Sequence, residues 1–160
     1  MYSYRDLPET ARIWIYQCNR ELSAEEVKAI NEKSEEFILD WSAHGAKLAA
    51  AIEIFYNLFV VVMVDEEKAE ASGCSIDKSF QFIKELTDTH DLALLDRMNV
   101  AYRDNNKIQI CRIDEFEGLL HRGEVSEDTI VFNNLVDTKK DFDSKWEVLL
   151  KDSWHRKLID

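Results

Sequence analysis

Cys74 stands where a thiol gains reactivity, in the stretch Ser72-Gly73-Cys74-Ser75-Ile76-Asp77. The most apolar run of the chain, 59–64, precedes it across an acidic loop at 65–70, and an amphipathic run at 76–86 follows. A buried strand is therefore expected to hand over to the start of a helix. Helix N-termini carry unpaired backbone N–H groups and a partial positive charge, both of which favour thiolate. Asp65, Glu66, Glu67, Glu70 and Asp77 oppose that effect. A thiol hydrolase or transferase also needs an imidazole base within hydrogen-bond reach. His44, expected at the neighbouring end of the sheet, is the candidate. The plainer reading makes Cys74 a small residue buried where helix meets strand, since free cysteines are among the most buried residues.

Binding at the same place needs no thiol. Ser72, Gly73, Ser75 and Asp77 form the candidate ligand site, because backbone amides at a helix start hold a small anion or a carbonyl oxygen. The acidic loop favours a carboxylate or a neutral carbonyl, such as the chain terminus of a partner, over phosphate. Trp41 with His44, and Trp154 with His155, could line a pocket, although Trp is more often core or interface. The loop acids offer oxygens to Mg²⁺ or Ca²⁺, but the spaced Asp/Asn and central Gly of a calcium loop are missing. A solvated acidic loop is expected, with no metal and no cofactor. Cys18, Cys74 and Cys111 contain no C-x-x-C and no zinc spacing, which fits reduced thiols in the cytoplasm.

The elements that must position these residues belong to one expected domain, 1–160, with 46% hydrophobic residues and few breakers, four Gly and a single Pro. The net charge of −12 repels phosphate backbones and anionic headgroups, so neither nucleic acid nor a membrane surface is expected as partner. No run reaches the roughly 20 apolar residues of a membrane span, and no signal peptide is read at the start.

Along the chain, 12–18 reads as a central strand, apolar on both faces. Ser23 and Glu26 form a capping box, Leu22 and Val27 a hydrophobic staple, and Val27, Ile30, Phe37, Ile38 and Trp41 an apolar stripe ending near Gly45. A hairpin of 49–56 and 59–64 around Asn57-Leu58 leads to a helix with Ile76, Phe80, Ile83 and Leu86 on one face, capped by Ser72 or Ser75. The run 92–95 is open between a helical turn and a short strand. A second hairpin, 99–103 with 107–113, turns at Asp104-Asn105-Asn106. Asp114 with Glu117 caps a short helix that stops at Gly123, 129–132 is extended, and Asn133-Asn134 reads as buried amides bonded to backbone. Asp137 or Thr138 caps a last helix with Phe142, Trp146, Leu149 and Leu150 on one face. The fold class is α+β: an antiparallel sheet with helices on one face, a ferredoxin-like βαββαβ core with an added hairpin strand and a helical C-terminal tail.

The segments 13–26 (IWIYQCNRELSAEE), 41–45 (WSAHG), 71–77 (ASGCSID), 94–100 (LLDRMNV), 129–136 (TIVFNNLV) and 153–155 (SWH) carry a resemblance over nearly the whole chain. The chain resembles an uncharacterised bacterial family commonly labelled ABC transporter ATPase, whose pattern often has Ala where this chain has Cys18. The resemblance implies no activity and supplies no catalytic residue. A Walker A loop needs Lys and Ser/Thr directly after its last Gly. The pair with that spacing here, Gly118 and Gly123, is followed by Glu124 and Val125, so ATPase activity is not expected. The expected function is that of a non-catalytic module binding a protein or a small ligand. The alternative is a thiol enzyme using Cys74 with His44; oligomeric state is left open.

Overall fold

A computed structural model describes residues 2–43, 46–67 and 70–159. Strand β1 (Arg12–Gln17) leads to helix α1 (Ala24–Asp40), two short paired strands β2 (Ser42–Ala43) and β3 (Ala46–Lys47), and the hairpin of β4 (Ala49–Phe55) and β5 (Phe59–Asp65). Helix α2 (Gly73–His90) follows. Strand β5 lies between β1 and β4, antiparallel to both. Every residue of β5 is buried, because its side chains alternate between two apolar layers. Val60, Val62 and Val64 pack with Ile30 and Ile38 of α1 and Ile83 and Leu86 of α2. Phe59, Val61 and Met63 point the other way, into a cluster with Phe132, Phe142 and Trp146.

That second cluster belongs to the rest of the chain. Strands β6 (Asn99–Asp104) and β7 (Lys107–Arg112) form a hairpin, followed by α3 (Ile113–His121), β8 (Ile130–Phe132), α4 (Lys139–Lys145) and β9 (Glu147–Leu149). They build a four-stranded antiparallel sheet in the order β7-β6-β8-β9. Ala101, Ile108, Ile110 and Phe132 face the first sheet. Val100, Val131 and Val148 face away, covering Phe116 of α3 and Leu150 of the 3-10 turn Leu150–Asp152. The protein is thus α+β with two antiparallel sheets packed face to face and helices on both outer sides.

Several expectations change here. A single βαββαβ sheet would seat β6 beside β1, but β6 pairs with β7 and β8 instead. Being apolar on both faces, β6 needs two covers, and it finds them between the first sheet and α3. Strand β1 is consequently an edge strand, not a central one, with one isolated bridge from Arg12 to Thr138 on its outer side. The helical tail is interrupted: α4 stops at Lys145, and Glu147–Leu149 pairs with β8 before the 3-10 turns begin. Helix α1 ends at Asp40 with Trp41 as its C-cap; Gly45, the expected stop, lies outside the described residues. The first hairpin turns through three residues, Tyr56, Asn57 and Leu58, the first two at φ of 55° and 54°. Arg112, not Asp114, occupies the N-cap of α3. Ser72 caps α2 and Thr138 caps α4, which settles both open pairs. Among the described residues, no helix is long and apolar enough to cross a membrane.

Candidate functional site

At the start of α2, Ser72 Oγ accepts the Ser75 N–H at 3.1 Å and lies 2.8 Å from Ser75 Oγ, so the two serines serve the cap. Trp41 is 2% exposed and its indole Nε1 donates to the Ser75 carbonyl at 2.9 Å. It ties the end of α1 to the start of α2 from within the core. Gly73 and Cys74 are exposed on the first turn, and Asp77 is exposed just beyond it. The burial expected of Cys74 is therefore not found. His44, the base expected beside it, lies outside the described residues. Asp65, Glu66 and Glu67 of the acidic loop are already engaged: Asp65 Oδ1 accepts from the Glu67 N–H, Glu66 Oε2 from the Ala71 N–H, Glu66 pairs with Arg12 at 3.3 Å, and Glu67 accepts from Thr10 Oγ1 at 3.0 Å. Among the described residues, no group of three or more His, Cys, Asp or Glu is placed to hold a metal ion.

The other two thiols are quiet. Burial pushes Cys18 up to about 12, and burial with Glu115 and Asp114 pushes Cys111 up to about 11. His155 is 1% exposed, its Nδ1 lies 2.6 Å from Ser153 Oγ, and its ring stacks on Trp154 at 3.9 Å. Burial lowers its pKa to about 4, which makes it a neutral core residue.

A different place has the shape of a site. Along the outer edge of β1 runs a cleft of about 400 Å³, walled by 94–97 and Phe80 on one side and 134–137 on the other. Ile13 N–H donates to the Asp137 carbonyl at 2.9 Å, while Cys18 N–H donates inward to Leu58 of the β4–β5 turn at 2.7 Å. Alternation therefore turns the N–H and C=O of Ile15 and Gln17 outward with those of Ile13. Among the described residues, no backbone hydrogen bond outside the strand ladders reaches Ile15 or Gln17. Phe80 and Leu135 stay 43% and 64% exposed at the walls, although both are large and apolar.

Among the polar residues that line this cleft, which include Arg12, Asp96, Asn99 and Asp137, Gln17 and Arg97 stand out. Gln17 is 7% exposed, and among the described residues its Nε2 has no hydrogen-bond partner. The orientation of its amide is set by a relay. Trp146 Nε1, which can only donate, gives its hydrogen to Asn134 Oδ1 at 2.9 Å, and Asn134 Nδ2 donates to Gln17 Oε1 at 2.8 Å. The atom left over must be Gln17 Nε2. Asn134 thus bonds to side chains, whereas Asn133 Oδ1 accepts from the Leu135 N–H, the backbone bond expected of both. Arg97 is exposed and, among the described residues, has no ion pair. Its charge acts on Tyr16, whose phenol burial raises above its usual range. None of Ser72, Gly73, Cys74, Ser75 or Asp77 lines the cleft. The local signal for it was Gln17, an amide that follows the run Ile13-Trp14-Ile15-Tyr16; its walls come from two distant segments that no spacing rule connects. No family model, curated protein or solved structure matches the chain.

Proposed function

We propose that the protein is a soluble, cytoplasmic binding module without chemistry of its own, and that its ligand seat is the cleft along β1. The observation that carries this is an edge strand with outward backbone groups at the floor of a walled apolar cleft. Clefts of a few hundred Å³ with a few converging polar groups are the usual form of ligand sites. A ferredoxin-like reading of the first half is part of the same proposal. It is supported by the order β1-β5-β4 with α1 and α2 on one face, the edge place beside β1 being held by the single bridge at Thr138. Membership of the family labelled ABC transporter ATPase stays a resemblance. Against the activity in that label, Gly118 sits inside α3 and Gly123 follows it, so helix occupies the place of a phosphate loop.

The exposure of Cys74 on the first turn of α2 supports a second reading, a thiol hydrolase or transferase. A fragment screen followed by ¹H–¹⁵N correlation spectra separates the two. Binding at the cleft moves the Trp14 indole and the Arg97 and Leu135 amides, and Leu95→Trp, which fills the cleft, abolishes the shifts. Shifts confined to 72–77, together with turnover of thioester or activated ester substrates that is lost in Cys74→Ser, would refute the first reading.

A further inference from the structure

The geometry points to an extended peptide as the ligand, added to β1 as an antiparallel strand. This rests on the cleft being the binding seat proposed above and names what occupies it. The chain itself shows the mode at one end of the same edge: Ile13 N–H donates to the Asp137 carbonyl, and Lys139 N–H donates to the Ala11 carbonyl, both at 2.9 Å. The segment then leaves β1 at Val136, and the cleft begins where that pairing stops. Ile15 and Gln17 present the next outward N–H and C=O groups at strand spacing, which is the recognition surface used when a peptide extends a sheet. The segment after α2 does not take this place. It turns at 93–96, where Asp96 N–H donates to the Ala93 carbonyl, and goes on to the second sheet.

The side chains specify the peptide further. Successive residues of an added strand point to opposite walls. One wall carries Phe80, Leu94 and Leu95, the other Leu135 and Val136, so alternate apolar residues are accommodated on both sides. Gln17 Nε2, left as a buried donor by the Trp146–Asn134 relay, requires an acceptor, and a peptide carbonyl or a side-chain amide oxygen supplies one. Arg97, a cation without an ion pair among the described residues of a chain of net charge −12, selects an acidic residue on the peptide. The occupant is thus an apolar strand-forming segment of a partner protein carrying one Asp or Glu.

The test is selection of random linear heptapeptides displayed on phage against the full chain, with the cleft-filled Leu95→Trp variant as counter-selection. Enriched peptides should alternate apolar residues and carry an acid. N-methylation of every second peptide residue should weaken binding about tenfold, while methylation at the residues between changes it little. Amide exchange of Ile15 and Gln17 should slow in the complex, and Arg97→Glu should weaken the acidic peptides selectively. Failure to enrich peptides over the variant, N-methyl effects without alternation, or unchanged exchange at Ile15 overturns the proposal. If fragments occupy the cleft while no peptide is enriched, strand addition fails and the binding seat stands; if neither binds, both fail.

Discussion

His155 gives the clearest consequence at the scale of one residue. It is neutral in the fold, with its pKa lowered by burial from 6.5 to about 4. Below about pH 6.5 the unfolded chain takes up a proton that the folded chain refuses, so stability falls from there to about pH 4 and then levels. At about 1.4 kcal/mol per pH unit the full loss is on the order of 3 kcal/mol. Denaturant unfolding at pH 7 and pH 5 should show the loss, and His155→Asn, which keeps an acceptor for Ser153, should flatten it. A pH-independent wild type would contradict the assignment. Glu26 does not blur the comparison of pH 7 with pH 5. Its bonds to Arg20 and to Ser23 hold its carboxyl at about 2, so its contribution is lost only as pH falls below about 4.5. The thiols supply a second measurement. Maleimide should label Cys74 first, Cys111 more slowly and Cys18 only on unfolding, because exposure decreases in that order. Cys18 reacting as fast as Cys74 in the native protein would be inconsistent with its place under α1.

Caps and turns decide the elements. Ser23→Ala removes the acceptor of the Glu26 N–H at 3.1 Å and should cost about 1 kcal/mol in denaturant unfolding. Asp91 ends α2 in the left-handed region at φ 53°, so Asp91→Gly should stabilise by about 0.5 to 1 kcal/mol. Unchanged midpoints in both variants would mean that neither helix end limits stability. The first cap was readable because it is local: the Ser23–Glu26 box spans four residues, and each strand's alternation sits within seven. Tyr56 escaped the reading for the opposite reason. Its left-handed φ follows from how β4 and β5 meet, and its ring stacks on Trp146 from ninety residues away. The end of α4 escaped too, since the strand at Glu147–Leu149 exists only by pairing with Ile130–Phe132.

For the whole molecule, the cluster of Phe55, Phe59, Phe132, Phe142 and Trp146 belongs to both sheets at once. The chain should therefore unfold in one transition, with far-ultraviolet circular dichroism and Trp fluorescence coinciding; two separated transitions would show that the sheets are independent units. Mg-ATP at millimolar concentration should give no saturable heat in calorimetry. The α+β class was legible from the order of apolar runs, but the division into two sheets was not. Nothing in the residues of β6 distinguishes a seat beside β1 from a seat under α3. The cleft was illegible for the same cause, since Gln17 and Asn134 meet across 117 positions.

The bridge between Arg12 and Thr138 also has a consequence in time. During synthesis β1, β4 and β5 can pair as soon as Asp65 has emerged, but the residues that cover the start of the β1 edge, up to Lys139, come 74 positions later. At about 5–20 residues per second that interval lasts roughly 4 to 15 s. For those seconds the nascent chain presents a bare edge to its neighbours on the same message, and unpaired edges are the templates on which chains join. The yield of folded chain should then fall as ribosomes crowd one transcript, even where the stability of the finished protein is unchanged.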